Sequence, residues 1–306
     1  MEYCELQVTS NFSFLRGASH PEELVERAQQ YGHEAIAITD RNTLAGIVRG
    51  HAAAKKTGIR IIPACRLDLL DGPSLLAYPT DVHAYSRLSG LLTLGNSRAE
   101  KGSCHLYRTD AYEHAKGMKI IIVPPQELNN LFDYETAFYS AVKEYREAFG
   151  DNCYIAACRY YHGDDSKQLS RLSGLSRRLQ LPLVATNDIH YHHPDRRQLQ
   201  DVLTCVREKC TIQTAGYRLH PNAERHMKST AEMQRLFRQY PDAIRRTVEI
   251  AEACRFSLNQ LTYIYPKEIT QDGRTPQEQL EYLVYQGLQN RFDDQVPPKI
   301  RDQIKY

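Results

Sequence analysis

Hydrophobic and polar positions along this chain repeat on two scales. Short apolar runs occupy residues 5–9, 35–39, 60–69, 74–78, 119–123, 154–158 and 183–186. Most lack strict polar alternation, as expected of strands covered on both faces of a parallel sheet. Between them lie longer stretches of helical periodicity with legible ends. Pro21, Glu22 and Glu23 open one helix with proline and acids in its first turn, and Gly32 closes it. Residues 43–58 predict a second, with Ala52, Ala53 and Ala54 packing tightly and Lys55 and Lys56 at its C-terminal end. Residues 164–181 predict a third, amphipathic through Leu169, Leu172, Leu175 and Leu179. Seven strands with intervening helices predict an α/β fold, a distorted TIM-like (β/α)7 barrel with one strand fewer than usual.

After Tyr191 the pattern turns almost wholly helical. Ser229-Thr230-Ala231-Glu232 reads as a capping box, and residues 241–254 and 275–292 read as further helices. The polar, glycine-containing stretch 270–274 separates the last helices and predicts separate mobility for them. The expected layout is a barrel over 1–210, barrel completion and a helical extension over 211–270, and a distinct segment over 271–306.

Composition narrows the function classes. A net charge of +2 gives no electrostatic case for nucleic-acid binding by the chain as a whole. No apolar run approaches membrane-spanning length, and Met1-Glu2-Tyr3-Cys4-Glu5 lacks the regions of a signal peptide, so the expected compartment is the cytoplasm. The eight cysteines form no C-x-x-C pair; the closest spacings are Cys153 to Cys158 and Cys205 to Cys210. Reduced, mostly buried thiols are expected.

Candidate chemistry sits at the ends of two apolar runs, Ala37-Ile38-Thr39-Asp40-Arg41 and Val184-Ala185-Thr186-Asn187-Asp188-Ile189-His190-Tyr191. Strand ends are where a barrel builds its site. Asp188 and His190, two apart on an extended segment, would point to one side and supply half a metal site.

The opening Leu6-Gln7-Val8-Thr9-Ser10-Asn11-Phe12-Ser13-Phe14-Leu15-Arg16-Gly17-Ala18-Ser19 resembles that of the polymerase-and-histidinol-phosphatase (PHP) domain. That domain stands at the N-terminus of bacterial C-family DNA polymerases, the DNA polymerase III α subunits and their error-prone relatives. The two strand-end segments, Tyr217-Arg218-Leu219-His220-Pro221-Asn222-Ala223-Glu224-Arg225-His226 and Thr275-Pro276-Gln277-Glu278 extend the resemblance over essentially the whole chain. Residues 10–24 are more similar to the error-prone branch than to the replicative one.

The resemblance implies a trinuclear metal cluster that hydrolyses phosphoesters, and this chain departs from it. The family's His-x-His falls on Gln7 and Thr9, the acid before its glycine on Arg16, its next His on Arg41 and its third-strand Glu on Arg66. A later Cys or His falls near Pro124 and a Glu near Ala156; only Asp40, Asp188 and His190 keep ligand chemistry. At an effective dielectric near 20, a divalent cation about 5 Å from one guanidinium is repelled by about 7 kcal/mol. Three ligands leave room for one residual zinc or manganese ion at most. The expectation is a dismantled site in which Arg41 or Arg66 forks onto Asp40 or Asp188. His192 and His193 lead into Pro194 and are expected at the surface.

In the family, residues 296–306 resemble the start of the connector towards the polymerase palm, where acidic residues hold magnesium; no palm segment is present. Three functions stay open. The first is an inactive structural domain of an error-prone polymerase acting in replication and translesion synthesis after DNA damage. The second is a metal-dependent phosphoesterase or 3'-5' exonuclease, and the third an anion-binding module at the arginine-lined mouth. The partners implied are the rest of the polymerase chain and, through other regions, DNA, a sliding clamp and translesion accessory proteins, with no membrane.

Overall fold

A computed structural model describes residues 2–263, 270, 273–292 and 295–304. Two sheets form among them. The first is parallel, in the order β1 (Cys4–Val8), β2 (Ala35–Ile38), β3 (Arg60–Pro63). The second runs β4 (Cys65–Leu67), β5 (Leu75–Pro79), β6 (Met118–Ile122), β7 (Cys153–Ala157), β8 (Leu183–Ala185). Strands β6, β7 and β8 are parallel, whereas β5 is antiparallel to both its neighbours.

Two expectations are corrected here. The run 60–69 is two strands rather than one, with Ala64 between Pro63 and Cys65. Proline has no N–H to continue a ladder. The sheet is also mixed rather than all parallel: residues 68–74 are too few for the crossover of about a dozen that parallel pairing needs, so β4 and β5 meet as a hairpin. No closed barrel is found among the described residues; between the sheets the backbone pairing is by isolated parallel bridges, Val8 with Ile189 and Arg41 with Arg66.

Both strand faces are buried, as the apolar runs predict. One face of both sheets, including Leu6, Ala37, Leu76, Ile121 and Val184, packs into a shared cluster with Ile250 and Ala251 of the helix Pro241–Ala253. The opposite face of the first sheet packs on the helices Pro21–Gln30 and Ile47–Thr57. The second helix begins four residues later than its pattern predicts. The helices Asp165–Leu179, Thr230–Leu236 and Pro276–Phe292 also form, and Ser229 caps the second of these through the Glu232 N–H (3.3 Å).

Compactness divides the chain into Met1–Leu261 and Thr262–Tyr306. Of the expected mobile stretch 270–274, Gln271 and Asp272 lie outside the described residues. All eight cysteines are free, and six are buried. Among the described residues no helix is long and apolar enough to cross a membrane.

Candidate functional site

The expected site residues gather where the two sheets meet. Asp188 follows β8 in the left-handed region, with φ +45°, which aspartate tolerates better than most residues. The segment is therefore not extended at Asp188, contrary to expectation. The turn is held by backbone bonds, Ile189 N–H to the Gln7 carbonyl (2.9 Å) and Thr9 N–H to the Ile189 carbonyl (2.8 Å). It still brings His190 Nε2 to 3.8 Å from Asp188 Oδ1.

Fully buried, Asp188 is neutralised by a guanidinium. Arg225 donates from Nη1 to Oδ2 and from Nη2 to Gln126 Oε1 (2.8 Å), and its guanidinium lies over the Tyr160 ring. Gln7 Nε2 donates to the other oxygen of Asp188 (2.9 Å). Burial pushes this carboxyl up, but Arg225, with His190 and Arg66 beside it, outweighs burial and holds the group well below the usual carboxylate range. His190 is driven down to about 4 by burial, so it is neutral near pH 7.

Asp40 has a different solution. Its Oδ1 accepts from Ser10 N–H (2.8 Å) and Ser13 Oγ (2.7 Å), and Oδ2 from Ser10 Oγ (2.7 Å). Among the described residues no cation pairs with it, and burial raises its pKa. Gly46 makes this approach feasible, because a Cβ there would lie 2.5 Å from Asp40 Oδ2.

The expected fork of Arg41 or Arg66 onto Asp40 or Asp188 does not form. Both arginines converge on Asp68 instead, Arg41 Nη1 at 2.6 Å and Arg66 Nε at 2.9 Å. Arg66 and Asp68 stand two apart around the end of β4, so one strand face carries both, and Ser74 donates to Asp68 Oδ1 (2.7 Å). Burial raises the Asp68 carboxyl, but the two guanidinium groups bring it down to about 2. Arg16 stands near this group, lowered to about 10 by burial and by Arg41 and Arg207.

Thr9 is buried, as is Ala156 within β7. His192, expected at the surface, is half-buried and bonded to Ser19 (2.8 Å), and His193 Nδ1 accepts from the Asp195 N–H (3.3 Å). Sequence reading missed Asp68, Ser10, Ser13 and Arg225 as partners. The Arg66-x-Asp68 alternation carried a signal for the first; nothing local marks Arg225.

This donor set does not fit a metal cluster. Both oxygens of Asp188 are engaged by Arg225 and Gln7 and those of Asp40 by two serines, while the ring nitrogens of His190 have no hydrogen-bond partner among the described residues. Among the described residues no group of three or more His, Cys, Asp or Glu side chains could hold a metal ion.

The PHP domain family matches residues 5–158. An error-prone DNA polymerase of Caulobacter vibrioides is 48% identical over 304 residues, covering 99% of this chain and 28% of that protein. One from Allorhizobium ampelinum is 44% identical, covering all of this chain and 27% of its own length. This chain thus spans little more than a quarter of these relatives. An amidohydrolase structure from Chromobacterium violaceum covers 61% of this chain and 87% of its own, at 16% identity and a TM-score of 0.46, too loose a likeness to argue from. With its N-terminal half matched by the family and its full length similar to part of error-prone DNA polymerases, the chain belongs to the PHP domain family.

Proposed function

We propose that this chain is the N-terminal PHP domain of an error-prone DNA polymerase and serves it as a metal-free structural domain. One observation carries the reading: the carboxylate best placed to bind a metal, Asp188, is neutralised by Arg225. A buried guanidinium cannot lose its proton, so a divalent ion entering beside Asp188 would meet a fixed positive charge. In this reading the eight strands of residues 1–210 form a distorted barrel, 211–270 complete it with a helical extension, and 271–306 begin the connector to the palm. The shared cluster of Leu6, Leu76 and Val184 supports barrel closure. Magnesium, DNA, sliding clamp and accessory partners would belong to the rest of the polypeptide, and the compartment would be the cytoplasm.

Hydrolysis assays on the 306-residue chain test the reading. Neither phosphate monoesters nor single-stranded DNA should be cleaved above background, with or without manganese. Cleavage that disappears in Asp188→Ala would place a working phosphoesterase in the fold and overturn it.

A second reading, anion binding, is favoured by the arginine excess around Asp68. Arg16 and Arg41 line a cleft of about 550 Å³ with Lys101, and Asp68 and Glu100 are its only acids. Phosphate should then raise the melting temperature of the wild type but not of Arg16→Ala; equal responses would remove this reading.

A further inference from the structure

The helix Arg197–Arg207 is built inside out. Its apolar residues Leu199, Val202, Leu203 and Val206 recur at i, i+3, i+4 and i+7, the spacing of a core-facing stripe. Yet Leu199 is 40%, Val202 49% and Val206 57% exposed, and Leu203 is half-buried. The inward face holds Gln200, Thr204 and Cys205, and neither side-chain polar atom of Gln200 finds a hydrogen-bond partner among the described residues. Ile212, just beyond the helix, is 48% exposed. Single exposed apolar residues are ordinary, but a helix that turns three of the four residues of its stripe to solvent marks an interface.

We propose that this stripe is buried against an apolar surface on the body of the polymerase, within the same polypeptide. The inference rests on the reading of the chain as one domain of an error-prone polymerase. The relatives are similar across 99–100% of this chain, so the helix lies within the similarity, and nearly three quarters of their length lies outside it. A free homodimer needs about 20–30 residues on each side, many more than this stripe provides. A tethered partner needs less, because a covalent linker supplies effective concentrations of the order of millimolar.

The stripe's neighbourhood is anchored to the former site. Arg207, at the end of the helix, donates from Nη1 to the Leu15 carbonyl (2.9 Å), in the loop that carries Arg16. Docking there would hold the former site in a fixed relation to the polymerase body.

Hydroxyl-radical footprinting read by mass spectrometry tests this, comparing the 306-residue chain with the natural polypeptide that contains it. Labelling of Leu199, Val202 and Val206 should fall by about fivefold or more in the longer polypeptide, as water is excluded from an interface core. The double variant Val202→Asp, Val206→Asp should restore labelling at Leu199 there, while leaving the melting temperature of the 306-residue chain unchanged. Equal labelling in both proteins overturns the docking surface and leaves the polymerase reading standing. Protection that appears in the 306-residue chain as its concentration rises assigns the stripe to a second copy, and also overturns it. A natural polypeptide of 35.2 kDa would remove the polymerase reading itself.

Discussion

Arg225 and Asp188, 37 residues apart in sequence, form a buried ion pair where a metal ligand would otherwise stand. Gln126 takes the second arm of the guanidinium and Gln7 the second oxygen of the carboxylate, so both charged groups are fixed on two sides. Breaking such a pair leaves one charge buried and uncompensated. Arg225→Ala should therefore cost about 3–5 kcal/mol of unfolding free energy. The double variant Asp188→Asn, Arg225→Met, which removes both charges and keeps the volume, should recover most of that loss. Urea melts of the three proteins check this, and a double variant no more stable than Arg225→Ala would contradict it.

Arg66→Ala should be far milder. Its partner Asp68 is 31% exposed and keeps Arg41 at 2.6 Å after the change, so a loss of about 1 kcal/mol is expected. A melt that ranks Arg66→Ala level with Arg225→Ala would show that the two carboxylates share one network rather than two.

Acidification should weaken the fold before the depressed carboxyls of Asp68 and Asp188 protonate. Burial holds His33 and His190 at about 4, and burial with Arg225 nearby takes His220 to about 2. All three stay neutral in the fold, whereas the unfolded chain protonates them below about 6.5. Their stabilisation is complete above that pH and is lost as pH falls towards 4. Glu5, pushed up to about 7 by burial, acts oppositely in this window, being protonated when folded and ionised when unfolded. Asp40, likewise raised by burial, acts with Glu5, while the lowered imidazoles of His192 and His226 act with the other three histidines, so unfolding near pH 5.5 takes up protons on balance. Urea midpoints should therefore fall between pH 7 and pH 5, and a rise would contradict the assignment. Below about pH 4 the depressed carboxyls of Asp68 and Asp188 add a second loss.

Local pattern made most of the strands and the principal helices legible in the sequence, and the resemblance to the PHP domain pointed to a ligand-poor site. Gln7, Thr9, Arg16, Arg41 and Arg66 could be read as departures because each stands in a motif whose spacing is preserved. Pairing was another matter. Which carboxylate an arginine reaches depends on tertiary geometry: Arg66 turns to Asp68 two residues on, while Asp188 waits for Arg225 from a loop with no periodic signal. The split of the run 60–69 was hidden for a related reason. Apolar content marks a buried strand but says nothing of direction, and only the short connection 68–74 forces the reversal.

Metal stoichiometry tests the central claim most directly. Protein purified without chelator should carry well under one zinc, manganese or iron ion per chain by inductively coupled plasma mass spectrometry, since Arg225 fills the charge requirement of Asp188. Three tightly bound ions per chain, retained through dialysis, would contradict the account.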